Sequence, residues 1–246
     1  MRDPKPVLRG RSGRVAIRSL RQCRHHPARN HATPRVGLCL VQSSDCSAVT
    51  LTVTGSSCHH PLVRVLEVVT PAGLARVHLH GCDSPRAGLL LGHGAGGGVE
   101  APDLVAVREI ALTEGVSVGL VEQPYRVAGR RSPAPAGQLD AAAIAVVARL
   151  REREFRGLPL LVGGRSLGAR VACRTAGLTG AIAVLCLAFP LQPPRRSETA
   201  RAPSRLPELD AVLVPTLVVQ GTRDPFGMPP PNGRRTVVEV AADHSL

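Results

Sequence analysis

The sequence predicts an α/β fold in which a mostly parallel sheet is covered by helices on both faces. Two observations lead to this fold class. From Val63 onward, short apolar runs alternate with helical patterns, which is typical of a parallel sheet with crossover helices. Runs such as Gly88–Leu91 and Val116–Val121 are almost wholly apolar, as strands buried on both faces should be. Residues that follow such strands are expected to meet at one sheet edge, where ligands bind.

The predicted elements begin with a hairpin. Its strands are Val63–Val69 and Leu74–His80, joined by a turn that contains Pro71 and Gly73. After strand Gly88–Leu91, a helix is predicted from Pro102 to Glu114, because proline suits a first helical turn and Gly115 can end the helix. The later predictions are strand 116–121, loop 126–137, helix 139–155, strand 158–162, helix 167–176, strand 182–188, a Pro/Arg-rich excursion at 189–208, and strands 216–220 and 236–240.

Residues 1–60 differ from the rest of the chain. They hold ten of its 31 lysines and arginines and show no sustained helical or strand periodicity. Three interpretations are open: a disordered basic tail, an arginine-rich targeting segment, or a stretch of sequence that precedes the true start of the protein. The third is favoured, and a single domain is expected over residues 61–246.

Composition limits the partners and the compartment. The formal net charge is +13, but aromatic residues make up only 2% of the chain, so arginines without stacking partners argue against nucleic-acid binding. The seven cysteines are odd in number and lack CxxC spacing, which argues against a disulfide framework or a zinc site. No apolar run is long enough for a membrane span. A cytoplasmic location is therefore expected, and the sequence indicates no oligomeric state.

The segment Gly164-Arg165-Ser166-Leu167-Gly168 is the central motif. An apolar strand precedes this G-x-S-x-G pattern and a helix follows it, which is the context of a nucleophile elbow. The turn is so tight that side chains at the two glycine positions would collide with neighbouring backbone. Ser166 is therefore expected at the top of the sheet, beside free N–H groups at a helix N-terminus that could stabilise an oxyanion.

A base and an orienting carboxylate are predicted further along the chain. Asp224 comes a few residues after strand 216–220, and His244 follows the last strand, so both should lie at the sheet edge of Ser166. Asp210 and Asp243 are the alternative acids, although Asp243 is uncomfortably close to His244 in sequence. The predicted catalytic residues are Ser166, Asp224 and His244.

The glycine-rich segment 92–98 follows strand Gly88–Leu91. It lacks the lysine of a Walker motif and the spacing of a dinucleotide-binding loop. In a hydrolase sheet, a loop at this place supplies the second N–H of the oxyanion hole. Ala95 is the predicted donor from this loop and Leu167 the donor from the elbow, whereas His93 is expected to brace the loop.

Five motifs in order, LLLGHGAGGG, GGRSLGAR, FPLQPP, QGTRDPFG and ADHSL, resemble compact bacterial α/β-hydrolases. This branch is often called dienelactone-hydrolase-like and has relatives among testis-expressed proteins. The resemblance covers about residues 63–246. It implies an α/β-hydrolase fold with a minimal cap or none, and an esterase-like acyl hydrolase without cofactor whose triad matches Ser166, Asp224 and His244.

The resemblance does not fix the substrate beyond a small-molecule ester. Dienelactone hydrolases proper use a cysteine nucleophile, whereas this sequence has Ser166. The sequence also ends two residues after His244, where the fold usually continues into a helix, so the final helix is expected to be missing. Two alternatives stay open: a non-catalytic hydrolase-like binding module and an acyltransferase with the same triad.

Overall fold

The computed structural model describes residues 62–192 and 203–246, together with two strands, Cys39–Ser43 (β1) and Cys46–Thr50 (β2). β1 and β2 pair antiparallel within the segment that the sequence sets apart, a hairpin that the absence of periodicity did not predict. The other residues of 1–60 lie outside the described part of the chain. The interpretations of that segment therefore stay predictions.

An eight-stranded sheet lies at the centre of residues 62–246, in the order β10-β9-β8-β7-β5-β6-β4-β3. Its strands are β3 (Leu62–Thr70), β4 (Gly73–Gly81), β5 (Ala87–Gly92), β6 (Val116–Glu122), β7 (Leu160–Arg165), β8 (Ala183–Leu187), β9 (Thr216–Gly221) and β10 (Arg235–Val240). β3 and β4 form the predicted antiparallel hairpin, and β4 also runs antiparallel to β6. The pairs from β6 across to β10 are all parallel. The predicted mostly parallel sheet is confirmed.

Five helices are described: α1 (Pro102–Thr113), α2 (Pro124–Val127), α3 (Ala136–Glu152), α4 (Leu167–Thr179) and α5 (Leu206–Asp210). Leu104 of α1 packs with Leu89 and Leu91 of β5 on one face of the sheet. Leu90 points to the opposite face, where it belongs to the core formed with α3, α4 and α5. Because successive side chains of a strand alternate between faces, a wholly apolar β5 can bury itself under helices on both sides.

The differences from the predicted elements are mostly at their boundaries. The stretch 126–137 is not all loop, since it overlaps the end of α2 and the start of α3. The strand expected at 158–162 begins later and runs to Arg165, directly against the elbow. Of the excursion predicted at 189–208, residues 193–202 lie outside the described part, and the end of the excursion is helical in α5.

The cysteines of the folded region are of two kinds. Cys173 and Cys186 are buried free thiols with their Sγ atoms 3.5 Å apart, and both pack as small residues of the hydrophobic core. Cys82, by contrast, is disulfide-bonded, which departs from the expectation drawn from cysteine number and spacing. Within the described residues, no helix is both long and apolar enough to cross a membrane.

The chain order places a topological switch point at β5. β5 lies between β6 and β7, so the connection that leaves β5 for β6 and the segment that leads from β7 into α4 diverge to opposite sides. In open α/β sheets, ligands bind in the crevice beyond the carboxyl ends of strands at such a point. The glycine loop after β5 and Ser166 after β7 both lie there.

Candidate active site

Ser166 sits in a strained turn between β7 and α4. Its backbone angles are φ 51° and ψ −105°, a left-handed conformation that a residue with a side chain rarely adopts and that costs about 1–3 kcal/mol. The turn is held by a 2.9 Å hydrogen bond from the Ser166 N–H to the Leu187 carbonyl. Such strain at a single serine is the mark of a nucleophile elbow.

The two flanking glycines are required by close backbone contact. A Cβ at Gly164 or at Gly168 would overlap the main chain of Gly92 at the end of β5. The elbow can therefore approach β5 only without side chains at these positions. This contact brings Ser166 next to the glycine loop 92–98.

Ser166, His244 and Asp224, far apart in sequence, form one continuous chain of hydrogen bonds. Nε2 of His244 is 2.9 Å from Oγ of Ser166, and Nδ1 of His244 is 2.8 Å from Oδ2 of Asp224. Asp224 is an acceptor as a carboxylate, so Nδ1 carries the proton and Nε2 is free to accept one from the hydroxyl. The structure brings together the three residues that the sequence singled out.

Asp224 is fixed by further donors. Its side chain has no exposed surface. Oδ2 also accepts a 2.8 Å hydrogen bond from Nε2 of Gln220, and Oδ1 accepts a 2.9 Å hydrogen bond from the N–H of Phe226. The ring of Phe226 packs against the imidazole of His244, with 4.4 Å between centroids. These contacts leave the carboxylate one orientation, aimed at His244.

The two alternative acids lie elsewhere. Asp210 pairs with Arg235 at 3.0 Å, near the opposite end of β10 from His244. Asp243 accepts a 2.7 Å hydrogen bond from the N–H of Ser245, within its own turn. Asp224 is the acid in contact with His244.

The glycine loop is braced by His93 and Tyr125. His93 is 1% exposed; its Nδ1 is 2.7 Å from the Gly94 carbonyl, and its Nε2 accepts a 3.2 Å hydrogen bond from the N–H of Gln123. These partners require a neutral ring protonated at Nδ1, and burial lowers the pKa of His93 accordingly. The hydroxyl of Tyr125 donates to the Ala95 carbonyl at 3.0 Å. His93 thus holds the loop in place, as expected from the sequence.

A cleft of about 390 Å³ opens over Ser166. Its volume is within the range of small-molecule sites. Ala95 and Leu167, the two predicted oxyanion donors, line it together with Ser166. Leu167 is the first residue of α4, where main-chain N–H groups have no partner within the helix. The remaining lining residues are Pro133, Ala134, Ala136, Leu139, Arg170, Arg174, Pro190, Arg205 and Phe226.

Arg165, the first of the two variable residues of the elbow motif, connects the site to α1. Its Nε lies 2.9 Å from Oδ2 of Asp103, and its Nη2 donates a 2.9 Å hydrogen bond to the carbonyl of His244. Asp103 is 5% exposed; burial raises the pKa of this carboxyl, and the charge of Arg165 opposes the rise. Arg165 therefore ties the segment that carries His244 to the folded core.

Sequence reasoning missed both Arg165 and Gln220. Arg165 occupies a position that the motif leaves open, so its type gave no signal. Gln220 did leave one, because it is a single amide within the buried strand β9. A fully buried polar side chain must find partners, and the nearby predicted acid Asp224 was the natural one. Among the described residues, no three His, Cys, Asp or Glu side chains cluster as a metal ion would require.

Comparison with solved structures shows the same fold. An α/β serine hydrolase without lid from Xanthomonas campestris shares 16% identity, covers 74% of this chain and 85% of its own, and has a TM-score of 0.56. Dienelactone hydrolase from Anabaena variabilis is 17% identical over 76% and 89% of the two chains, with a TM-score of 0.60. Est1E from Butyrivibrio proteoclasticus is 14% identical over 74% and 90%, with a TM-score of 0.58.

Family comparison agrees with the structural one. Among curated proteins, none matches this sequence closely enough to count as a relative. The family model described as alpha/beta hydrolase domain matches residues 85–239, which include the glycine loop, Ser166 and Asp224. The chain therefore belongs to the alpha/beta hydrolase family.

Proposed function

We propose that this protein is a serine hydrolase that cleaves carboxylic esters or related acyl substrates through an acyl-enzyme intermediate. The observation that carries the proposal is the hydrogen-bonded chain from Ser166 through His244 to Asp224, beneath a cleft of ligand size. Membership of the alpha/beta hydrolase family supports the same reaction class, as do a serine hydrolase and an esterase among the structural neighbours.

In the first half of the reaction, Ser166 Oγ attacks the ester carbonyl carbon while His244 Nε2 accepts the hydroxyl proton. The resulting imidazolium is stabilised by Asp224, which remains ionised. The carbonyl oxygen becomes an oxyanion, for which the N–H groups of Leu167 and Ala95 are the proposed donors. The intermediate collapses when the C–O bond to the alcohol breaks, and the alcohol leaves with the proton from His244.

In the second half, water replaces the alcohol. His244 takes a proton from the water as its oxygen attacks the acyl carbon, and then returns that proton to Ser166 Oγ as the acyl bond breaks. The products are the free acid and the regenerated enzyme. The chain needs no cofactor for these steps, because its own residues supply the nucleophile, the base and the oxyanion donors.

A fluorophosphonate probe tests the proposal directly. An activated hydroxyl attacks phosphorus as it attacks an ester carbonyl, so the probe should attach covalently to Ser166, as located by peptide mass spectrometry. The purified protein should also hydrolyse short p-nitrophenyl esters, and Ser166→Ala should lose both properties. If the probe labels another residue and Ser166→Ala keeps the full rate, the protein is a binding module at this site and the proposal fails.

A further inference from the structure

The lining of the cleft carries an uneven set of charges. Among the described residues that line it, three are arginines, Arg170, Arg174 and Arg205, and none is an aspartate or glutamate. The others are apolar apart from Ser166 itself. A substrate that reaches Ser166 therefore meets guanidinium groups and apolar surface in the same small space.

Two of these arginines are already paired with carboxylates. Arg170 binds Glu208 through both Nε and Nη2, the Nε contact being 2.8 Å. Arg174 binds Asp140 through Nε and Nη2, at 2.8 Å and 2.7 Å for the shortest contacts, and also reaches Glu208 at 3.4 Å. Bidentate pairs of this kind satisfy a guanidinium well. The charges of Arg170 and Arg174 are thus balanced by Glu208 and Asp140.

Arg205 differs from these two arginines in its hydrogen-bond partner. Within residues 62–192 and 203–246, its side chain makes one hydrogen bond, a 3.0 Å contact from Nη1 to the neutral carbonyl of Pro190. Burial lowers the pKa of Arg205, and repulsion from Arg170 adds to this effect. Attraction to Glu208 acts in the opposite direction, but Glu208 is already bound by Arg170 and Arg174. The guanidinium stays charged all the same, since its ordinary pKa is far above neutrality. Among the described residues, Arg205 therefore keeps unused donors and is not hydrogen-bonded to a carboxylate.

Counted over the described residues, three arginines against Asp140 and Glu208 leave one net positive charge on this side of the cleft. A partly buried charge without a counter-ion is costly, and an anion that enters the cleft would remove that cost. A guanidinium also matches the planar, two-oxygen geometry of a carboxylate. A neutral ester would leave these donors without a partner.

We propose that the substrate of this hydrolase is an ester that carries an anionic group, a carboxylate on its acyl or its alcohol part, and that Arg205 binds this group. The inference rests on the proposed function, because it assumes that the ester is cleaved at Ser166. Because Arg170 and Arg174 are paired with Glu208 and Asp140, the excess positive charge is that of Arg205. The apolar lining accommodates the carbon chain between the ester and the anion.

Two matched pairs of esters test the proposal. The acyl-side pair is 4-nitrophenyl hydrogen adipate and 4-nitrophenyl 6-methylheptanoate, in which an isopropyl group replaces the carboxylate. The alcohol-side pair is 4-acetoxybenzoate and 4-acetoxyacetophenone. In at least one pair, kcat/KM for the anionic ester should exceed that for the neutral one by about ten- to a hundredfold, the size expected of a hydrogen bond to a charged group. The preference should fall as salt is added.

Substitution of Arg205 tests whether this residue causes the preference for the anionic ester. Arg205→Met should reduce the ratio of the two kcat/KM values to about 1, mainly through KM of the anionic ester, and Arg205→Lys should keep part of it. Arg151→Met is the matched control, because Arg151 also binds backbone carbonyls, those of Thr179 and Gly180, but does not line the cleft. It should leave the ratio unchanged.

The outcomes separate this inference from the proposed function. Equal kcat/KM within both pairs, with Ser166 still labelled by the fluorophosphonate, overturns the anionic substrate and leaves the hydrolase proposal standing. A preference that survives in Arg205→Met overturns the role of Arg205. Absence of both hydrolysis and labelling overturns the two proposals together.

Discussion

Nη2 of Arg165 donates a 2.9 Å hydrogen bond to the main-chain carbonyl of His244. The residue just before the proposed nucleophile thus holds the backbone of the proposed base, 79 positions away in sequence. Asp103 at the first turn of α1 completes the arrangement by pairing with Nε of the same guanidinium. The position of His244 relative to Ser166 therefore depends on a charge-assisted contact as well as on the hydrogen bond between their side chains.

Arg165→Met should lower kcat by about ten- to a hundredfold, because a hydrogen bond from a charged donor contributes about 1.5–3 kcal/mol. KM should change little, since Arg165 does not line the cleft. Arg165→Lys should recover part of the rate, as it keeps the charge but not the two-pronged geometry. Steady-state kinetics on a p-nitrophenyl ester measure both constants; a change confined to KM would refute the positioning role.

Ser166→Ala and His244→Ala should each remove nearly all of the esterase rate, on the order of 10⁶-fold in a well-formed triad. The double variant should be hardly slower than either single one, because the two residues act as one unit. Additive losses in the double variant would show that Ser166 and His244 act independently.

Asp224→Asn should cost less, about 10⁴-fold at most. The amide would preserve the packing but could donate to Nδ1 of His244 and so favour the wrong tautomer. Single-turnover ester hydrolysis gives the rate of the chemical step. Asp243→Asn is the control, because Asp243 bonds only the Ser245 N–H among the described hydrogen bonds, and its rate should stay within about twofold of wild type. Equal losses of rate in both variants would show that Asp224 does not orient His244.

The sequence was sufficient to predict the mostly parallel sheet. It was also sufficient to predict that Ser166, Asp224 and His244 lie at the same edge of that sheet. Both predictions follow from short-range patterns. Wholly apolar strands indicate burial on both faces, and residues just after parallel strands lie at the carboxyl edge of the sheet. Element boundaries were less well predicted. The start of α3 lies at Ala136 rather than at 139, because alanine and glycine at its first turn carry no amphipathic signal.

The supporting contacts could not be predicted in the same way. Arg165 forms an ion pair with Asp103 and a hydrogen bond to His244, and Gln220 forms a hydrogen bond to Asp224. The contacts of Arg165 join residues from different elements, and the geometry of all three contacts depends on how α1 and β9 pack. Arginine at the variable elbow position is compatible with many exposed conformations. Only the three-dimensional arrangement selects the one in which Arg165 reaches His244.

Stability should decrease as pH falls below about 6.5, in part through His93. The folded state keeps this buried ring neutral and lowers its pKa, whereas the unfolded chain takes up a proton near the ordinary imidazole value of about 6.5. The contribution is therefore fully present above the unfolded pKa and is lost as pH drops through it, until the lower folded pKa is passed. Denaturant unfolding at pH 7.5 and pH 5 measures the loss.

The variant His93→Gln isolates this effect from that of His80, whose pKa is also lowered by burial. His80 remains in the variant, so its share of the pH dependence cancels in the comparison. The free energy of unfolding of wild type should exceed that of His93→Gln by less at pH 5 than at pH 7.5. A difference that stays constant would mean that His93 does not titrate differently in the two states.

Gly168→Ala should destabilise the fold and abolish activity, although alanine is a better helix former than glycine. Gly168 lies in the first turn of α4, and a Cβ there would overlap the backbone of Gly92, which has no flexible side chain to move aside. The elbow would have to retreat from β5, at a cost of about 1–3 kcal/mol for overpacking, and Ser166 would move away from the glycine loop. Denaturant unfolding and fluorophosphonate labelling report the two effects.

Gly177→Ala is the matched control on the same helix, because its Cβ would meet nothing within 4 Å. It should raise the free energy of unfolding by about 0.5–1 kcal/mol and leave labelling unchanged. If both alanines stabilised the protein equally, the close contact between the elbow and β5 would not be what holds Ser166 in place.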